Sequence, residues 1–443
     1  MYRLKGIRFR SAEDSRQIKF RPPRRRQRHT GHCLDIMNEI SKETTVIDDA
    51  WDTICSFDWL LTAHSNARKG KRYRSEILTF SEKLEDWLFI IMEGMKNGSY
   101  ELGPYKKIWV YVPKKRLVMA LPYPDRIVQW SLYQYLNPFY DKKFIEDSYA
   151  CRKKKGSHMA ARRLQYWLRQ VQRKPGHGYY YLKLDISKYF YRVNHDILLD
   201  ILSERIKDEN LLGFIRSVVN CTAEPFGLPP GKRPQDVPPE EWLYDVGMPI
   251  GNLTSQLFAN IYLNELDQFC KHKLRIHYYI RYMDDIVILA PDKQTLHTWK
   301  TDIEAFLRNR LSLELNDKTA IRPVRMGVEF VGIRIWNTHA KLRKSTVRRI
   351  KKEVKKISRD YANKKLTREG FKRRVASING MLAHTDTGRL RMRLNDIYQT
   401  EIQKAKRRKV TAGNEQPFAN NSGLRECDRG TSQDDQDPGN TAR

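Results

Sequence analysis

The chain has 443 residues, enough for two or three domains and a sizeable core, and 83 Lys plus Arg against 52 Asp plus Glu leave a formal charge of +31. A field of that sign favours a polyanion, most simply nucleic acid; no apolar run is long enough to span a bilayer and no signal-peptide core is present, so no membrane partner is expected. The six cysteines (Cys33, Cys55, Cys151, Cys221, Cys270, Cys427) show neither zinc-ligand spacing nor a disulfide framework, so a reduced, cytoplasmic setting is expected.

Residues 1–32 are basic and poor in aliphatics, with Arg24-Arg25-Arg26 beside Pro22-Pro23. Such an arm serves equally as a solvated tail or as a phosphate binder. From Cys33 the pattern turns helical. Trp51, Ile54, Cys55, Trp59 and Leu60 fall at helical intervals, and Leu84, Trp87, Leu88 and Ile91 repeat them, with the basic loop Arg68–Arg74 between. Ile108–Pro122 reads as two short strands joined by the basic turn Lys114-Lys115-Arg116. Asp125 then opens a helix through Trp130, Leu132 and Leu136. A second helix begins at Gly156-Ser157 and carries Ala161, Leu164, Trp167 and Leu168.

Tyr179–Asp185 is a strand that ends in a carboxylate, after which Ile186–Phe190 turns away. Residues 222–246 hold Pro225, Pro230, Pro234, Pro238 and Pro239 and read as a long irregular surface loop. Gly247–Gln256 is a tight turn that opens a helix with Phe258, Ile261, Tyr262, Leu266 and Phe269 on one face. Tyr278–Ala290 reads as strand, tight turn, strand, with Asp284 and Asp285 at the turn. Its flanks are too apolar for an exposed hairpin, which places the turn on a buried sheet. Two adjacent carboxylates repel each other there. A divalent cation relieves that repulsion, and hard oxygen ligands suit Mg²⁺. Leu296, Trp299, Ile303, Phe306 and Leu307 mark an amphipathic helix. Residues 340–410 are basic and helical, with Arg348-Arg349, Lys351-Lys352 and Lys355-Lys356 beside the apolar stripe Val354, Ile357, Tyr361. From Thr411 the composition turns polar, and disorder is expected.

The order of these pieces resembles that of group II-intron-like reverse transcriptases. Tyr282-Met283-Asp284-Asp285 resembles their Tyr-x-Asp-Asp box, and Asp185 followed by Tyr189-Phe190 resembles their first palm motif. The basic turn, Arg-Leu, Pro and Asp125-Arg126-Ile127-Val128-Gln129 resemble the first fingers motif, in which Lys114 and Arg116 hold the incoming triphosphate. Asp147–Ala160 resembles the second fingers motif, which puts Arg152, with Lys153 beside it, on nucleic acid. The resemblance puts Phe190 under the nucleotide sugar, where a bulky ring excludes a 2′-hydroxyl and makes the product DNA; taken alone, the ring reads as core. Leu311–Thr319 resembles the fourth palm motif. Its Lys318 serves either as proton donor to pyrophosphate or as an ordinary surface lysine. Val328–Gly332 resembles the hairpin that grips the primer end. The basic helices, with Arg348, Arg349 and Lys352, read as a thumb that tracks a duplex backbone.

Gly247–Gln256 resembles the second palm motif, which lines the template and nucleotide pocket through Ile250, Gly251 and Gln256. Most reverse transcriptases have Gln before that Gly and Ser-Pro at its end. Ile250-Gly251-x-x-x-Ser255-Gln256 resembles instead the enzymes of diversity-generating retroelements. An apolar Ile250 holds base and sugar with fewer fixed polar contacts and so discriminates less.

The expected fold is α+β: a right-hand polymerase with an arm (1–32), N-terminal helices and fingers (33–178), an antiparallel palm (179–337), a helical thumb (338–410) and a tail (411–443). Asp185, Asp284, Asp285 and the Ile186 carbonyl are expected to hold two Mg²⁺ ions, for which Mn²⁺ can substitute. The expected activity is RNA-directed DNA synthesis from dNTPs on a template RNA, through an RNA/DNA hybrid. The retroelement resemblance implies error-prone copying at template adenines and a small basic oligomeric accessory protein. A defence or retron-like reverse transcriptase, and a catalytically silent RNA-binding protein of the same fold, are the alternatives. The intact carboxylates speak against the silent protein.

Overall fold

A computed structural model of the chain describes residues 45–111, 116–174, 178–220 and 225–414. The basic arm, Lys114 and the tail beyond Asn414 lie outside the described residues. Two compact units meet at the Arg343–Lys344 bond.

The apolar repeat from Trp51 to Leu60 forms two helices, α1 (Trp51–Cys55) and α2 (Phe57–Ala67), because Ser56 between them is extended. Helices α3 (Ser75–Glu82) and α4 (Leu84–Lys96) follow, then the hairpin β1 (Lys106–Val110) and β2 (Arg116–Ala120). Helix α5 (Tyr123–Asp141) grips the first helices through polar side chains. Ser131 Oγ donates to the Ile54 carbonyl (2.6 Å), and Gln134 Nε2 donates to that of Trp59 (2.9 Å). Helix α6 (Ser157–Gln172) starts after Gly156, as its sequence predicts.

The palm sheet contains β3 (Tyr180–Asp185), β4 (Tyr279–Tyr282), β5 (Asp285–Ala290) and β6 (Ala320–Pro323) in the order β4-β5-β3-β6, antiparallel throughout. Alternation sends Leu182, Leu184, Ile286, Ile288 and Tyr279 into the main core. That core also takes α7 (His195–Ser203), α8 (Glu209–Val219), α9 (Leu253–Gln268) and α10 (Lys293–Leu311). The opposite set, Tyr181, Val287, Leu289, Tyr278 and Ile280, packs with Trp167 of α6 and Phe330. Each such apolar side chain contributes roughly 1.5–3 kcal/mol by leaving water, which makes this two-sided sheet a firm base for whatever stands at its end. Phe330 belongs to a three-stranded antiparallel sheet, β7 (Val328–Phe330), β8 (Ile333–Ile335) and β9 (Ala340–Leu342), larger than the hairpin expected from Val328–Gly332.

The Pro-rich segment is not simply a surface loop. Phe226, Leu228 and Val237 are buried against Tyr105, Leu117, Met119 and Tyr191 in a third apolar cluster. The segment lacks the periodic pattern that would announce this, but its few apolar side chains suffice to seat it.

The second unit holds α11 (Lys344–Ala362), α12 (Arg368–Leu382) and α13 (Gly388–Asn414). Ile350, Ile357, Ile378, Leu382 and Leu394 are buried, and Phe371 packs on Tyr361 and Tyr398 with ring centroids 4.7 and 5.0 Å apart. Residues 411–414, expected to begin the disordered tail, continue α13. Among the described residues no helix is long and apolar enough to cross a membrane.

Candidate active site

The hairpin β4–β5 closes with Tyr282 opposite Asp285, so Met283 and Asp284 form the turn. On the other side of β5, Asp285 is the register partner of Asp185 at the end of β3. Three carboxylates from two strands and a turn therefore meet at one end of the palm sheet. Burial pushes Asp284 up from its ordinary 3.8 to about 6; Asp185 and Asp285 add to this, while a backbone N–H and Arg116 oppose it. Burial also raises Asp285, opposed first by Lys183.

Lys183 was not singled out in the sequence. Its Nζ lies 3.2 Å from Asp285 Oδ1 and donates to the Glu329 carbonyl of β7 at 2.9 Å. The ammonium donates to Asp285 Oδ2 at 3.5 Å, while Oδ1, though close to it, is buried without a hydrogen bond. Among the described residues no three acidic, His or Cys side chains already stand close enough to grip an ion. The donor set still fits a hard divalent cation. It offers a buried carboxylate oxygen with no hydrogen bond and two carboxyls raised by burial and by neighbouring aspartates, so a cation would relieve both burdens.

The chain around this end of the sheet is stitched in place. Asn316 N–H donates to the Asp185 carbonyl (2.7 Å) and Ser187 N–H to that of Glu314 (2.9 Å). Ile186 is bridged to Leu315 through those bonds, which use the Asp185 carbonyl and the Ser187 N–H and not the Ile186 carbonyl. Phe190 is half-buried, and its carbonyl accepts from Met248 N–H (2.7 Å). Ile250 is half-buried against the third cluster, and its carbonyl accepts from Met119 N–H of β2 (2.9 Å). Gly251 has φ +129°, and a Cβ there would lie 2.6 Å from the Met119 carbonyl oxygen, so only glycine permits this approach. The stitch holds β2, and with it Arg116, near enough for its charge to lower the pKa of Asp284.

Residues 105–335, just over half of the chain, match the family described as "Reverse transcriptase (RNA-dependent DNA polymerase)". The chain belongs to the reverse transcriptase family. It is 25% identical to the Escherichia coli protein YkfC over 56% of this chain and 71% of that one. It is 22% identical to the group II intron-encoded protein LtrA of Lactococcus lactis over 55% of this chain and 48% of LtrA, so it spans about half the length of that relative. Among solved structures, a telomerase from Candida albicans is similar at 14% identity, with a TM-score of 0.39 over 62% of this chain and 54% of that one.

Of the sequence-predicted residues, Asp185, Ile186, Asp284 and Asp285 stand together at this end of the sheet and Arg116 is near enough to act on Asp284; Arg152 needs a correction. Arg152 was expected on nucleic acid, but its side chain is 7% exposed and its guanidinium is spent inside the protein. Nε donates to Asp141 Oδ1 (2.6 Å), Nη2 to the Asp141 carbonyl (2.8 Å), and Nη1 to the carbonyls of Ile145 (2.7 Å) and Ser148 (3.0 Å). It clamps the segment after α5. The neighbouring Lys153 is exposed. Gln256 is half-buried in the first turn of α9. Lys318 is exposed, and its N–H donates to Asn316 Oδ1 (3.1 Å) beside the Asp185 stitch. Arg348, Arg349 and Lys352 are exposed on α11 of the second unit.

Proposed function

We propose that this reverse transcriptase makes error-prone cDNA from a template RNA in a diversity-generating retroelement. The observation that carries the polymerase chemistry is the pairing of Asp185 with Asp285 beside the Asp284 turn, with Asp284 and Asp285 raised by burial. Asp185, Asp284, Asp285 and the Ile186 carbonyl would hold two Mg²⁺ ions, or Mn²⁺ in their place. When bound, these supply charge for the primer hydroxyl, the triphosphate and the leaving pyrophosphate.

The chain's own groups do the rest. Arg116, with Lys114, binds the triphosphate of the incoming dNTP by charge-assisted bonds. Phe190 excludes a ribose 2′-hydroxyl. Lys318 delivers a proton from Nζ to the pyrophosphate. Lys153 and the exposed basic face of α11 hold the template RNA and the RNA/DNA hybrid. The retroelement assignment rests on Ile250, Gly251, Ser255 and Gln256, and it brings with it a small basic oligomeric accessory protein. Ile250 meets base and sugar with apolar contact alone, which discriminates by roughly 1–3 kcal/mol at best.

Sequencing cDNA copied from a mixed-base template by wild type and Ile250→Gln tests this. Wild type should misincorporate chiefly at template adenine, and the variant should do so less. A wild-type error rate that is low, or even across the bases, would sink the retroelement assignment. Errors at adenine that persist in the variant would clear Ile250 of the role.

A further inference from the structure

Beneath the catalytic turn lies an ion pair wholly shielded from solvent. Arg281 of β4 and Asp267 of α9 each have 0% side-chain exposure, and Arg281 Nη2 is 2.6 Å from Asp267 Oδ2. Arg281 Nε donates to both carboxylate oxygens (2.8 and 3.0 Å), and the Tyr279 hydroxyl donates to Oδ1 (2.7 Å). The remaining guanidinium nitrogen, Nη1, is 3.3 Å from two acceptors, Asn260 Oδ1 and the Met283 carbonyl. Met283 has φ +56°, a left-handed conformation that a long side chain adopts only under restraint. The carbonyl reached by Arg281 belongs to the peptide that leads directly into Asp284.

Core stability is a weak reason for such a pair, since apolar residues of similar volume often serve as well. An apolar residue cannot, however, donate to the carbonyl of a strained turn. The backbone of Arg281 is engaged too. Its N–H donates to the Asp147 carbonyl and its own carbonyl accepts from Tyr149 N–H, each at 3.0 Å. Asn260 Nδ2 holds the next carbonyl of that segment, Ala150, at 2.9 Å.

We infer that Arg281, anchored by Asp267 and Asn260, is a positioning residue that fixes the Met283 peptide and so aims Asp284, tying that aim to the seating of residues 147–150. The inference rests on the reading of Asp284 as a metal ligand. A guanidinium fork reaches the carboxylate and the turn carbonyl together, whereas a lysine ammonium satisfies only one of them. Loss of the fork therefore leaves the nucleotide-binding groups intact and misdirects one ligand.

The test uses the full chain and two variants. Arg281→Lys keeps a charge opposite Asp267. Arg281→Met/Asp267→Leu leaves no orphan charge in the core. Urea unfolding establishes that each is folded. Steady-state extension then gives kcat and the KM for dNTP, and electron paramagnetic resonance titration gives Mn²⁺ affinity without turnover. In both variants kcat should fall at least about tenfold, as small misplacements of reacting groups do, with the KM for dNTP nearly unchanged and Mn²⁺ binding severalfold weaker. A folded variant of either kind with wild-type kcat and Mn²⁺ affinity overturns the inference. Losses that only track the unfolded fraction overturn it too. If wild type and Asp284→Ala bind Mn²⁺ alike, the metal-ligand reading itself has failed, and this inference falls with it.

Discussion

Replacing Asp284 with Asn should make the metal-free protein more stable while it destroys catalysis. Burial holds the folded carboxyl at about 6, against 3.8 ordinarily. The native state thus binds this proton more tightly than the unfolded chain does. The stability contributed is full below pH 3.8 and is lost as the pH rises through about 6. At 1.36 kcal/mol per pH unit the ionised aspartate opposes folding above that range by about 1–3 kcal/mol, the lower figure allowing for solvent at the turn. Asn keeps the shape and removes the charge. In EDTA at pH 8, urea unfolding of Asp284→Asn should show a gain of that size. At pH 4 the gain should shrink to well under about 1 kcal/mol. Mg²⁺ should then stabilise wild type more than the variant, because only an ion bound to the folded state adds stability. A variant no more stable than wild type at pH 8, or equally favoured at both pH values, would refute the buried-charge reasoning.

Arg152→Ala should destabilise the protein by roughly 1–3 kcal/mol, because it leaves carbonyl acceptors unsatisfied while the partly exposed Asp141 carboxylate keeps some solvent, and urea midpoints measure this; RNA affinity of the folded variant should stay near wild type. RNA binding should weaken steeply with salt, with a log–log slope well below −1, as the formal charge of +31 implies. Changing Arg348, Arg349 and Lys352 together to Ala should flatten that slope by about 2–3, and titrations in KCl would reveal an unchanged slope if α11 does not touch the backbone.

Strands β3, β4 and β5 were legible because they are largely apolar and the aspartates stand at the end of β3 and at the β4–β5 turn. Alternation also marks two charges within apolar strands. Lys183 stands two residues before Asp185, so both share a face, and Arg281 stands two after Tyr279. A charge inside an apolar strand demands a partner, but Asp267 lies on a helix and no local pattern links it to β4. Arg152 misled for the opposite reason: in a run with Lys153, Lys154 and Lys155 it reads as one more solvated cation, and only the turn of the chain after α5 reveals four acceptors around it. Ser56 carries no breaker signal strong enough to divide α1 from α2. The Pro-rich segment hides its packing because three scattered apolar residues make no period.

On the proposed reading, Asp185, Asp284 and Asp285 form the centre of an RNA-directed DNA polymerase. Primer extension on an RNA template with dNTPs, comparing wild type with Asp284→Ala across a Mg²⁺ titration, tests it most directly. Wild type should extend the primer only with the divalent ion present. Asp284→Ala should lose at least about a hundredfold in rate, the scale on which removal of one transition-state-stabilising group is felt, while still binding RNA. Equal extension by the variant, or extension by wild type in EDTA, would contradict the account.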